Sequence, residues 1–457
     1  MDQPRPIPDS ATPRLATQRL LDAPILPTLT RLASPPALLA LFQIAISIGD
    51  TYFVGQLGTT PLAGLALVFP LLMLLQMTSA GAMGGGVSSA VARALGAGED
   101  DAARALVAHA LVIALVLGLM FTVLLLGAGS GLYRLLGGNA ETRTQALAYS
   151  NIVFSGAVVI WLSNTLASVL RGSGNTLVPS VVLSLGACIH VPLSGALTLG
   201  ALGLPRLGIA GAGVAYVTTF SLACLAMAVY VWSTPLRPTR AHWQLKWRRF
   251  RDILRVGAVS SLSALQTVLT AVIVTGFVGR YGTAALAGFG VGVRLELLQV
   301  PLVFAIGQAM VPMVGTHIGA GQAARAKRIA WIGAALGGGM SFAIGITVAL
   351  LPAAWVGIFS DDPAVLAAGS LYLRIVAPFY TFLGFAIVLY FASQGSGHVV
   401  WPVLAGTARL VVVVGGAAVA LALGAPLWWL FALIAFGLVV LGSLTALAVQ
   451  RTDWSRH

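Results

Sequence analysis

Residues 53–64 read FVGQLGTTPLAG and residues 277–288 read FVGRYGTAALAG, eight of twelve positions identical at an offset of 224. Two more pairs follow in the same order. ALGAGEDDAARA from Ala94 answers to HIGAGQAARA from His317, and RGSGNTLVP from Arg171 answers to QGSGHVVWP from Gln394 at an offset of 223. Three echoes in one order at nearly one spacing make the chain a duplication, and a repeat of this kind decides architecture before any local reading. Outward from the echoes, apolar runs long enough to cross a bilayer, about 20 residues each, alternate with short Gly, Pro or charged breaks. The expected spans are 34–56, 62–92, 104–128, 145–170, 177–200, 208–232, 252–278, 284–314, 328–353, 364–392, 401–423 and 426–449. Each repeat thus holds six. Six is even, so both halves enter the membrane from the same side, related by an axis along the membrane normal. The expected fold is an all-α membrane protein of twelve transmembrane helices in two six-helix lobes, residues 34–232 and 252–449. A basic linker, 233–251, joins them, and the tails are 1–33 and 450–457.

Composition excludes the soluble alternative. Hydrophobic residues make up 58% of the chain and charged residues 9%, against about 25% charged in soluble domains. The mean hydropathy is +0.94. A net charge of +13 raises nucleic acid as a partner, but the basic residues cluster between apolar runs. Seven of them, from Arg237 to Arg255, fall in and beside the linker. They read as topology signals beside anionic lipid heads, so no nucleic-acid partner is expected. With the N-terminus inside, 19 of 26 Lys and Arg fall on the cytoplasmic side. That bias is expected to place both termini and the linker of a multi-pass membrane protein in the cytoplasm. Cys188 and Cys224 lie in apolar segments and suggest buried structural thiols. Neither a Cys/His metal spacing nor a nucleotide loop is present, so no cofactor is expected.

Helix number and duplication point to a secondary transporter. The repeated segments also carry a more specific likeness. ISIGDTYFVGQLGTTPLAGLAL from Ile46, the RGSGN turn, VGVRLELLQVPLVFAIGQAMVPMVGTHIGAGQ from Val291 and LYLRIVAPFY from Leu371 resemble the multidrug and toxic compound extrusion (MATE) transporters, the DinF-like prokaryotic branch in particular. The resemblance covers roughly residues 34–450. It implies an antiporter of the bacterial inner membrane that exports cationic or amphipathic organic compounds in exchange for inward H⁺ or Na⁺ among membrane lipids, and the duplication lets a monomer suffice.

An ionisable side chain inside a span is costly, and so is a functional candidate. Of thirteen acidic residues eleven lie in tails, in loops or at their edges, leaving Asp50 and Glu296 inside spans. A carboxylate withdrawn from bulk water can load a proton on one side and release it on the other, and the resemblance implies that Asp50 takes part in ion coupling. The bland alternative is a structural carboxylate held by Thr51 or Tyr52. Where relatives often carry Asn and Asp in span five, this chain has His190 and Ser194, and Tyr216 stands where Thr is common. Loss of an amide and a carboxylate disfavours Na⁺, while imidazole titrates near neutrality. Asp50 and His190, with Ser194 and Tyr216, are therefore expected to form a proton-linked site. Glu296 is either a charge in the substrate cavity or the partner of Arg294, Arg374 or Arg409. Gln43, Met73, Gln76, Gln266 and Tyr380 are candidate cavity residues, as are Phe154, Trp161 and Met310. Each of these is as readily simple helix packing. A lipid-linked sugar flippase of the same superfamily is the nearest rival, resting on the same three arginines. An integral-membrane enzyme lacks any constellation to support it.

Overall fold

The computed structural model describes residues 13–455; residues 1–12 and 456–457, with Arg5 and Arg456 of the basic tally, lie outside it. After a short helix, Pro13–Asp22, come the spans. They are α1 (Ile25–Gly55), α2 (Thr59–Gly96), α3 (Asp100–Leu135), α4 (Ala140–Ser155 and Ala157–Gly172, bent by 51°), α5 (Leu177–Leu199) and α6 (Ile209–Ser233). The second half repeats them as α7 (Trp247–Gly279), α8 (Thr283–Gly319), α9 (Ala323–Leu350), α10 (Pro363–Ser396), α11 (Val400–Ala422) and α12 (Leu427–Arg451). Among the described residues there are twelve spans, counting the bent pair as one, and no strand. α1 begins at Ile25, well before the expected residue 34, because Pro35 and Pro36 sit inside the helix instead of starting it.

Ends alternate between two faces. The N-terminal end of α1, the C-terminal ends of α2, α4, α6, α8, α10 and α12, and the linker share one, called here the linker face. At 31 and 33 residues, α1 and α7 are longer than a bilayer requires, and each reaches across the seam between the lobes. Leu29, Leu32 and Ala33 of α1 pack in the C-lobe core with Val303, Met310, Ile329 and Val449, whereas Val54 belongs to the N-lobe core. Symmetrically, Ile253 of α7 packs in the N-lobe core, and Val274 and Val278 in that of the C-lobe.

Glycine governs the approach of the lobes. A Cβ at Gly96 would stand 2.1 Å from the Thr316 carbonyl oxygen, and one at Gly319 would stand 2.1 Å from that of Arg93. α2 and α8 thus touch backbone to backbone at the linker face, as small residues allow in membranes. Nearby, a Cβ at Gly86 would meet the Ile253 carbonyl oxygen at 2.7 Å. Ser89 Oγ donates to the carbonyl oxygens of Gln394 and Gly395, and Arg93 Nη1 donates to Ser89 Oγ and the Gly395 carbonyl oxygen. Arg171 Nη1 donates to Gln308 Oε1 at 3.0 Å.

One difference between the halves is recorded in the repeat offset. α2 has 38 residues and α8 has 37, and α2 alone turns as a π-helix, over Met77–Met83. A π turn is how a helix absorbs one extra residue without rotating its flanks. The change of repeat offset from 224 to 223 falls inside this helix. The thiols also differ from expectation: Cys188 is exposed and Cys224 half-buried, because both project from outer faces of α5 and α6 that lipid would cover.

Candidate functional site

Asp50 lies five residues from the C-terminal end of α1, nearer the face opposite the linker. It is 7% exposed, and His190 and Ser194 of α5 are 1% and 0% exposed. One turn separates positions 190 and 194, so both side chains point from the same face of α5 at α1. His190 Nε2 lies 3.0 Å from each carboxylate oxygen of Asp50, and Ser194 Oγ donates to Oδ1 at 2.5 Å. Thr51 instead donates to the Ser47 carbonyl oxygen, and Tyr52 is exposed. The carboxylate is thus held from another helix, and its sequence neighbours turn away.

The Tyr216 ring meets the His190 ring edge-on, centroids 6.0 Å apart. Gln76 Nε2 donates to Tyr216 Oη at 2.6 Å, and Asn164 Nδ2 donates to Gln76 Oε1 at 3.0 Å and to Ser79 Oγ at 2.8 Å. Ser168 Oγ donates to the Asn164 backbone carbonyl oxygen at 2.7 Å, and Arg171 Nη2 donates to that hydroxyl at 3.0 Å. A hydrogen-bonded thread therefore runs through the N-lobe from Tyr216 to the Arg171–Gln308 bond at the seam, joined to the Asp50–His190 pair by the ring contact of His190 with Tyr216. Gln76, expected in a cavity, is a member of it. Asn164 was missed, although the polar run SNT at 163–165 in an otherwise apolar span is the signal that marks it.

Glu296 lies in the C-lobe. It accepts a hydrogen bond from Tyr372, and Arg409 is close enough to act on it electrostatically. Among the described residues no guanidinium comes within 4.0 Å of it. Of the three arginines expected as partners, Arg294 stacks over Phe359 at 5.1 Å, Arg374 is exposed, and Arg409 alone stays near the carboxylate. Tyr380 is 0% exposed and sits beside Glu296 and Tyr372, inside the lobe. Gln266 is buried too, donating to Thr407 Oγ1 at 2.7 Å. Gln43 is exposed and Met73 half-buried. Phe154, Trp161 and Met310 are core residues at 1%, 1% and 0% exposure, so packing, not a cavity, accounts for them. No group of three or more His, Cys, Asp or Glu that could hold a metal occurs among the described residues.

Two six-helix lobes about an axis through the membrane, with a buried carboxylate in one and a half-buried one in the other, define a two-lobed membrane protein of transporter architecture. The family model MatE matches twice, over residues 35–195 and 260–419, one match to each repeat. The chain belongs to the MatE family, and it is a multi-pass membrane protein of a transporter family. It is 28% identical over 373 residues to the "FAD transporter" of Shewanella oneidensis, covering 81% of this chain and 82% of that one. It is 26% identical over 389 residues to the "Probable multidrug resistance protein NorM" of Thermotoga maritima, covering 82% and 81%. A MOP superfamily transporter from Pyrococcus furiosus has the same fold, with a TM-score of 0.87 at 23% identity over 95% of this chain and 98% of that one.

Proposed function

We propose that the protein is a secondary active antiporter that exports cationic or amphipathic organic compounds in exchange for inward H⁺, by alternating access. The single observation that carries this reading is the Asp50–His190–Ser194 cluster, an acid and an imidazole sharing one buried contact in the N-lobe. The basic bias puts the linker face in the cytoplasm. The lobes then meet at the cytoplasmic side, and Asp50 lies toward the outside, where a proton enters. A protonated carboxyl accepts more weakly than a carboxylate, so loading loosens its ties to His190 and Ser194. The thread through Tyr216, Gln76, Asn164, Ser168 and Arg171 gives that local change a route to the seam that must open. The relative named a multidrug resistance protein supports the substrate class. His190 and Ser194, in place of an amide and a carboxylate, favour H⁺ over Na⁺, and the protein works as a monomer.

The test is transport by purified protein in liposomes. A fluorescent organic cation is followed under a pH gradient and then under a Na⁺ gradient, for wild type and Asp50→Asn. Uptake driven by the pH gradient and lost in the variant is the expected result. Sodium-driven uptake would overturn the ion assignment. The relative named a FAD transporter makes FAD the first anionic compound to load into the same vesicles, and FAD export without cation export would overturn the substrate class.

A further inference from the structure

Between the lobes at the linker face is a cavity of about 600 Å³. Its walls come from both lobes: the end of α2, the start of α3, the linker and the start of α7, the end of α8, and the turn after α10. Five basic side chains line it, Arg93, Lys246, Arg248, Arg249 and Arg255, against two acidic ones, Glu99 and Asp252. Among the described residues none of the five has a carboxylate within 4.0 Å. Cations that serve only as topology signals stand out into lipid head groups. These enclose a space instead.

The linker wall is fixed in place. His109 Nδ1 donates to the Ala105 carbonyl oxygen at 2.6 Å, the donor role being assigned from that partner, which leaves Nε2 to accept from the Lys246 backbone N–H at 2.9 Å. Phe250 meets the same imidazole edge-on at 4.7 Å, and Arg104 Nε holds the Pro235 carbonyl oxygen at 2.8 Å. Arg93, on the opposite wall, is anchored through Nη1. A guanidinium held in position before a ligand arrives, as that of Arg93 is, binds tetrahedral oxyanions through paired donors, and basic pockets between transmembrane helices take phosphate head groups. The volume lies in the range of small-molecule sites, about 300–1,000 Å³.

We propose that this cavity is a binding site for a phosphate-bearing anion, a lipid head group or a soluble phosphate, and that its occupant bridges the lobes. Because both lobes supply the walls, the anion binds the arrangement in which the linker face is closed and shifts the population toward it. The proposal does not depend on which compound is exported. Binding is therefore measured without transport, and failure of the antiport reading leaves the result intact.

Purified full-length protein in neutral detergent is titrated calorimetrically with inorganic pyrophosphate. It is also titrated with mixed micelles of phosphatidylglycerol, with phosphatidylcholine as control. Saturable binding of pyrophosphate or phosphatidylglycerol, and none of phosphatidylcholine, is expected. Arg248→Gln with Arg249→Gln weakens it at least about tenfold, a loss of about 1.4 kcal/mol or more. Arg237→Gln with Arg240→Gln makes the same charge change outside the cavity lining and leaves binding as in wild type. Arg255→Gln alone repeats the effect if the double variant elutes as an aggregate. Pyrophosphate binding abolished by prior saturation with phosphatidylglycerol assigns a lipid head group, and binding that survives it assigns a soluble phosphate. Absence of binding by both probes, or equal loss in both double variants, overturns the proposal.

Discussion

Asp50 sits in a helix that lipid would otherwise surround, where a lone carboxylate costs about 2.5–3.5 kcal/mol. His190 and Ser194 offset that cost by donating to it, so both hold the acid and both tune what it does. Asp50→Asn should reduce gradient-driven transport at least about 100-fold while leaving the protein folded, because the amide still accepts from Ser194. Ser194→Ala removes one charge-assisted bond worth about 1.5–3 kcal/mol and should leave transport measurable. His190→Gln keeps a donor but cannot titrate, and should change the pH profile of transport measured in liposomes; an unchanged profile would sink the shared-proton reading. Glu296 asks a different question, whether its charge serves substrate or fold. Arg409, on another helix of the same lobe, acts on it electrostatically, and both are half-buried, so removing either charge leaves the other uncompensated, at less than the about 3–5 kcal/mol of a contacting buried pair. Glu296→Gln should therefore lower the melting temperature, and adding Arg409→Leu should restore it along with transport. Recovered stability without recovered transport would assign Glu296 to substrate instead. The site was partly legible: an acid, a histidine and a serine in apolar spans stand out on cost alone. Their meeting was not, since the 3.0 Å contact joins positions 140 apart in sequence, and Tyr380 or Gln266 looks the same whether it faces a cavity or a core.

At the scale of elements, the repeat made helix number and pairing readable, while the ends of helices shifted wherever a helix ran on past the lipid. α1 and α7 are long because their leading halves are claimed by the opposite lobe, and a hydropathy reading cannot see a partner. The π turn of α2 is the sharper case. The offset dropped from 224 to 223 between two echoes that bracket this helix, which states in sequence that one residue is extra there. Only the backbone shows where it went. Met77–Met83 takes up the excess beside Gln76 and Ser79, both held by Asn164, and within it Gly81 turns its carbonyl oxygen toward Gln394 Nε2, 3.4 Å away across the seam. Deleting Ala80 should let α2 close as a regular helix of the length of α8, with Thr59 and Arg93 left in place. The variant is expected to insert and elute as a folded protein, yet to lose most of its transport, since the widened turn links the polar thread to the seam. Full transport by the deletion variant would show that the π turn is a tolerated insertion with no part in the cycle.

The whole molecule holds its lobes together through backbone contacts that glycine alone permits. A methyl group at position 96 would press on the carbonyl oxygen of Thr316, 2.1 Å from the added carbon, and neither atom belongs to a flexible side chain. Overpacking of this kind costs about 1–3 kcal/mol. The strain exists only while the lobes touch at the linker face, so it opposes that arrangement and not its opposite. A shift of about 1.4 kcal/mol changes a two-state population tenfold. Gly96→Ala should therefore move the protein measurably toward an arrangement open at the linker face, and Gly319→Ala, which presses on the Arg93 carbonyl oxygen, should do the same by symmetry. Spin labels at Glu99→Cys and Gln322→Cys, both exposed near the seam, read the separation once Cys188 and Cys224 are replaced by Ser. Growth of a longer distance in both glycine variants is the expected outcome. If the distances stay as in wild type while stability falls, the lobes do not part at this seam, and alternating access must proceed by bending within a lobe, for which the 51° break in α4 is the place to look.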